Sequence, residues 1–124
     1  MLLQAASVLV VDHQPRVFLP LVRSLSAEGA YVAIAPSARE AFNLCRRRSF
    51  DIVITNSGLP DASVDVFIRA IRAVDSVIVI VVTDRGEHPS TKSHEFGADL
   101  VLWKPIDPAS VLALLRNYET RRAA

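Results

Sequence analysis

Five short runs rich in Val, Ile and Leu punctuate the chain: "SVLVVD", "YVAIA", "DIVIT", "VIVIVVT" and "LVLW". Longer stretches separate them, and in these the apolar residues recur every three or four positions. Runs of the first kind predict β-strands, and their nearly unbroken apolar character fits strands covered on both faces, as in a parallel sheet flanked by helices. Stretches of the second kind predict amphipathic helices. Their alternation predicts an α/β sandwich.

Helix punctuation supports the pattern. Ser37 followed by Glu40 in "SAREAFNLCRRRS" makes a capping box, with Ala41, Leu44 and Cys45 on one face and Arg46, Arg47 and Arg48 at the end where the helix dipole favours cations. "SVDVFIRAIRAV" places Val64, Phe67, Ile68, Ile71 and Val74 on one stripe, and "DPASVLALLRNY" starts with Asp107 as N-cap and Pro108 in the first turn. In "PRVFLPLVRSLSAEG" the apolar spacing is helical, but Pro20 stands inside it and predicts a kink near Arg16. "HPSTKSHEF" has almost no apolar stripe before Gly97, so a helix there would be short or weakly anchored. The tail "ETRRAA" reads as a frayed end or the start of a linker.

Composition narrows the class. A chain of 124 residues suits one domain, read here as residues 1–124 with a core over about 7–121, and 51% hydrophobic against 22% charged residues is far from the composition of disordered segments. A net charge of +1 supplies no field for phosphate backbones or anionic lipid, so neither nucleic acid nor membrane is expected as a partner. Cys45 is the sole cysteine and forms no internal disulfide; it reads as a small core residue. The longest wholly apolar run, Val77 to Val82, is too short to cross a bilayer, and no signal peptide follows Met1, so a cytoplasmic location is expected.

In an open parallel sheet, ligands sit beyond the carboxyl ends of the strands. Those ends are polar here: Asp12 and His13, Asn56, Thr83 and Asp84, and Lys104 before Pro105. "VLVVDHQPRV", "DIVITNSGLPD", "IVIVVTDRGE" and "GADLVLWKPID", in this order and spacing, resemble the receiver domain of two-component response regulators from Val8 to about Tyr118. The resemblance implies a flavodoxin-like, doubly wound five-stranded sheet of order 2-1-3-4-5 with helices on both faces. It also implies a phosphoryl-accepting aspartate at the end of the third strand, a magnesium ion held by carboxylates and one carbonyl, and a hydroxyl and a lysine that bind the phosphoryl group.

Matched residue by residue, Asp12 takes the first acidic position and His13 the second, Asn56 the phosphoacceptor position, Gly58 that of the metal-binding carbonyl, and Thr83 and Lys104 those of the hydroxyl and cation. Val101 stands where an aromatic switch residue is usual, and Asp84 where a small residue is usual. A carboxamide supplies neither the nucleophilic oxyanion nor charge for magnesium, and imidazole is a poor ligand for so hard an ion. Nucleophile, metal and readout are thus lost together, which is the expectation for a pseudo-receiver: no enzyme, no cofactor, no metal. An engineered Asp-to-Asn change would account for Asn56 but not for His13, Asp84 or Val101. The alternative is a receiver that still answers a phosphoryl donor or phosphate by an unusual route.

The charge left behind raises a further expectation. A buried, unpaired Lys104 would cost roughly 3–5 kcal/mol, so Asp12 or Asp84 is expected to pair with it, with the Asn56 amide oxygen accepting a hydrogen bond. Trp103 alternates with Val101 on the last strand, and both should face the side of the weak helix before Gly97; Trp103 is either an interface anchor or a space filler there. His13, His88 and His94 are dispersed and read as surface residues, and the three arginines at 46–48 as a solvated helix end. Dinucleotide and flavin readings lack a phosphate loop after the first strand, and a haloacid-type phosphotransferase would need an acid where Gln14 stands. The expected partner is a protein or an attached output domain, with a homodimer through the last strand and its neighbouring helices as one form.

Overall fold

The structure, a computed structural model, describes residues 3–84 and 97–123, apart from the side chains of Pro15 and residues 118–123. The weak helix expected in "HPSTKSHEF", together with His88 and His94, lies outside the described residues.

Each Val/Ile run is a strand: β1 (Ser7–Val11), β2 (Tyr31–Ala35), β3 (Ile52–Asn56), β4 (Ile78–Thr83) and β5 (Leu100–Trp103). All pair in parallel, in the order β2-β1-β3-β4-β5. The helices are α1 (Leu19–Ala27), α2 (Ala38–Arg47), α3 (Val64–Val74) and α4 (Pro108–Ala123).

Strand alternation sorts the core into two layers. Leu9, Val11, Val53, Val79 and Val81 point to one face, against Ala41 and Cys45 of α2 and Phe67, Ile68 and Ile71 of α3. Val8, Val10, Ile52, Ile54, Ile78 and Ile80 point to the other, against Leu21 and Leu25 of α1 and Val111 and Leu115 of α4. The three inner strands are almost wholly buried, as their composition predicts, whereas edge strand β2 exposes Tyr31 and Ile34 and edge strand β5 exposes Trp103.

Helix boundaries follow local chemistry, with two corrections. Pro20 does not kink a helix: Pro15–Phe18 forms a 3₁₀ turn and α1 begins at Leu19, so Pro20 occupies the first helical turn, where its missing N–H costs no intrahelical bond. The expected disturbance near Arg16 is this 3₁₀ turn. Val74, expected on the inner stripe of α3, is exposed, because the last turn of α3 runs past the edge of the core. The close of α1 is a Schellman motif: Ala30 N–H reaches Leu25 O at 3.1 Å, Gly29 N–H reaches Ser26 O at 3.0 Å, and Gly29 adopts φ +93°, a conformation glycine alone takes without strain.

Burial, with a smaller effect from Asp75, pushes the Cys45 thiol up to about 11, in keeping with a core role. Asp107 accepts from the Ser110 amide at 3.3 Å and from its hydroxyl at 2.6 Å, capping α4 as its sequence suggests. No described helix is long and apolar enough to cross a membrane.

Candidate functional site

The direction of chain winding reverses between β1 and β3, which are neighbours although α1, β2 and α2 separate them in sequence. Helices leave toward opposite faces there, opening a crevice at the carboxyl ends of the two strands. The crevice is a cleft of about 850 Å³ lined by Asp12, His13, Asn56, Gly58 and Lys104, together with Gln14, Arg16 and Val17 of the loop after β1. Five of the residues matched from sequence therefore meet in one place.

The sheet's own hydrogen bonding carries these residues to the rim. Asp12 N–H bonds Ala35 O at 3.0 Å, Ser57 N–H bonds Val82 O at 2.8 Å, and Lys104 N–H bonds Thr83 O at 2.9 Å, so each loop leaves a strand end that is still laddered to its neighbour. The Lys104–Pro105 peptide bond is cis.

Asp12 is 5% exposed, and its carboxylate accepts from Gln14 N–H at 3.2 Å. His13, next to it, is exposed on the rim. Asn56 donates its side-chain amide to the Gly58 carbonyl at 2.9 Å. The Asn56 amide nitrogen thus engages the carbonyl that the family pattern would offer to a metal. Among the described residues there is no cluster of three or more His, Cys, Asp or Glu side chains suited to a metal.

Lys104 pairs with Asp84 at 3.5 Å, as one of the two expected arrangements has it. The premise of a buried lysine is corrected: its side chain is 23% exposed and that of Asp84 is 68% exposed, so water screens the pair and it is worth no more than about 1 kcal/mol. Thr83 is fully buried, and its hydroxyl accepts from the Ser57 hydroxyl at 3.0 Å. Val101 packs on the α2/α3 layer of the core, and Trp103, on the same face of β5, is 39% exposed.

One participant was not legible as such. Asp61, the acid of "GLPD", crosses from the loop after β3 to the start of α2, where it accepts from Ala38 N–H and Arg39 N–H at 3.0 Å each. Ser37 contributes its half of the capping box by accepting from Glu40 N–H at 3.2 Å. The bond from the Arg39 amide, ahead of that from Ala38, holds the Asp61 carboxyl below the usual carboxylate range. The signal available in sequence was an acid directly after the crevice loop; its target 22 residues away was not.

The response regulator receiver domain family matches residues 8–116 of this chain. The chain belongs to that family. It is similar to the transcriptional regulatory protein KdpE of Mycobacterium tuberculosis, 30% identical over 118 residues that make up 94% of this chain and 52% of KdpE. Similarity to the transcriptional regulatory protein CusR of Escherichia coli is 29% over 119 residues, again 94% of this chain and 52% of the relative. This receiver domain therefore spans about half the length of those two regulators. In fold it is similar to the receiver domain of the TMAO respiratory system response regulator TorR, with a TM-score of 0.82 at 24% identity over 94% of this chain and 98% of that one. The expected family and the 2-1-3-4-5 sheet are thereby borne out.

Proposed function

We propose that this receiver domain is a pseudo-receiver: a phosphorylation-independent protein-interaction or dimerisation module of a two-component system that catalyses no phosphoryl transfer and holds no magnesium. The observation that carries the reading is the Asn56 amide bonded to the Gly58 carbonyl at 2.9 Å. A neutral amide stands at the end of β3, where an acyl phosphate would require a carboxylate, and it engages the carbonyl a metal would need. With His13 in place of a second acid, Asp12 is the one carboxylate lining the cleft among the described residues.

The partner on this reading is a protein or an attached output domain. Support comes from the regulators to which the chain is similar, which are named for transcriptional regulation and are about twice its matched length. Exposed Trp103, beside Val101 on edge strand β5, supports a contact through that strand, because a half-exposed Trp at a sheet edge is the kind of anchor that interfaces bury.

Incubation with acetyl phosphate and magnesium, followed by intact-mass measurement, tests the reading. The expected result is an unchanged mass; an acid-labile phosphoryl adduct would establish the rival reading, a receiver that still takes up phosphate by an unusual route.

A further inference from the structure

Three cleft residues, Gln14, Arg16 and Val17, lie outside the positions matched to the family, and the first two are polar. Gln14 and Arg16 come from the loop after β1 and line the cleft beside Asp12 and His13. The 3₁₀ turn Pro15–Phe18 sets their place: Phe18 is fully buried and anchors the turn, which leaves Arg16 exposed at the cleft wall. Arg16 makes no ion pair among the described residues, unlike Arg69, Arg72 and Arg116. Lys104 reaches the same cleft, and its ion-pair partner among the described residues is the exposed Asp84, at 3.5 Å. Such a pair yields readily to a better-placed anion, since water screens it.

Against these two cations stands the Asp12 carboxylate, nine-tenths buried and accepting from one described group, the Gln14 amide. A carboxylate has about four acceptor sites, so capacity remains for a donor in the cleft. An anion alone would be repelled by Asp12, and a cation alone by Arg16 and Lys104. A molecule bearing both groups meets neither penalty. At about 850 Å³ the cleft also has the size of small-molecule sites.

We propose that the cleft binds a small diffusible molecule that carries an oxyanion beside an amino or hydroxyl donor. Lys104 and the planar fork of Arg16 hold the oxyanion, and Asp12 accepts the donor. Phosphate and carboxylate share this chemistry. The inference rests on the pseudo-receiver reading, because a phosphoryl group attached at position 56 would compete for Lys104.

Amide-resolved NMR titration tests it with two matched pairs of probes: O-phosphoethanolamine against n-propyl phosphate, and β-alanine against butyrate. Within each pair the oxyanion is the same and a methyl replaces the ammonium. None of the four is an activated phosphoryl donor, so binding is scored separately from adduct formation with acetyl phosphate. Saturable shifts are expected at residues 12–14, 16–17, 56–58 and 104, with the ammonium-bearing probe of one pair binding about fivefold tighter or more than its partner. The pair that shows the preference identifies phosphate or carboxylate.

Arg16→Ala, an exposed change, should weaken that probe by a similar factor. Asp12→Asn keeps an oxygen for the Gln14 amide but should abolish the preference within the pair, an effect that a purely structural Asp12 would not produce. The proposal is overturned if neither pair shows a donor preference at tens of millimolar, or if Arg16→Ala binds as the wild type does.

Discussion

Asn56 and Gly58 form a closed turn at the end of β3, the side-chain amide donating to the carbonyl two residues on at 2.9 Å. This bond ties down the loop at the point where a working receiver would need both groups free. Asn56→Ala removes the donor and leaves an exposed carbonyl to water, so urea denaturation should show a loss of about 0.5–1.5 kcal/mol. The Gly58 and Leu59 amides should exchange faster with solvent. Wild-type stability and exchange in the variant would mean that the bond does not organise the loop.

Asp61 ties this same loop to the first turn of α2. Removing its two acceptor bonds by Asp61→Ala should cost about 1 kcal/mol at pH 7, in the range of lost helix caps. Because the folded-state pKa lies below the unfolded one, the unfolded chain binds more protons as pH falls. The contribution is therefore complete above the unfolded carboxylate range, near pH 4, and disappears as pH drops through the lower folded value. Denaturant midpoints of wild type and Asp61→Ala should accordingly converge in acid; a gap that stays constant to pH 2 contradicts the assignment.

The Lys104–Asp84 pair is screened on its Asp84 side. Asp84→Ala should change stability by less than about 1 kcal/mol at low ionic strength and by nothing measurable in molar salt, where the Debye length is about 3 Å. Thermal melts at the two ionic strengths read this directly. A large, salt-independent loss would place Asp84 in a buried network instead.

Trp103 is the sole tryptophan, so its fluorescence reports β5 alone. With 39% of its surface exposed, acrylamide should quench it efficiently in dilute protein. If β5 forms a homodimer, raising the protein concentration should shield it, and Trp103→Ala should abolish the increase in mass seen by light scattering. Dimerisation with undiminished quenching would move the contact away from β5.

Cys45 is 5% exposed with its thiol pushed up to about 11, so a chromogenic disulfide reagent at pH 8 should react with it only after urea is added. Fast labelling of the folded protein would show that α2 detaches from the sheet.

Elements were legible from sequence because they are local. The apolar runs at 52–54 and 78–82 are β-branched and buried on both faces, which hardly another environment accommodates, and Asp107 with Pro108 marks a helix start by its own hydrogen bonding. Strand order and the residues of the crevice came from motif resemblance, not from periodicity, which is silent about which strand lies beside which. Pro20 was misjudged for a reason of the same kind: its cost depends on whether a helix begins before or after it, and the burial of Phe18 in the 3₁₀ turn is a tertiary matter.

What the chain determined by itself is its chemistry: an amide in place of an acid at position 56, an imidazole at 13, a lysine at 104. Tertiary structure alone decided how those groups face one another. It turned the Asn56 amide toward Gly58, left Lys104 partly solvated with an exposed partner, sent Asp61 to the end of a distant helix, and brought Arg16 into the cleft. The reason is physical: residue type sets which bonds a group is able to make, whereas direction, burial and proximity arise only when strands far apart in sequence are laid side by side.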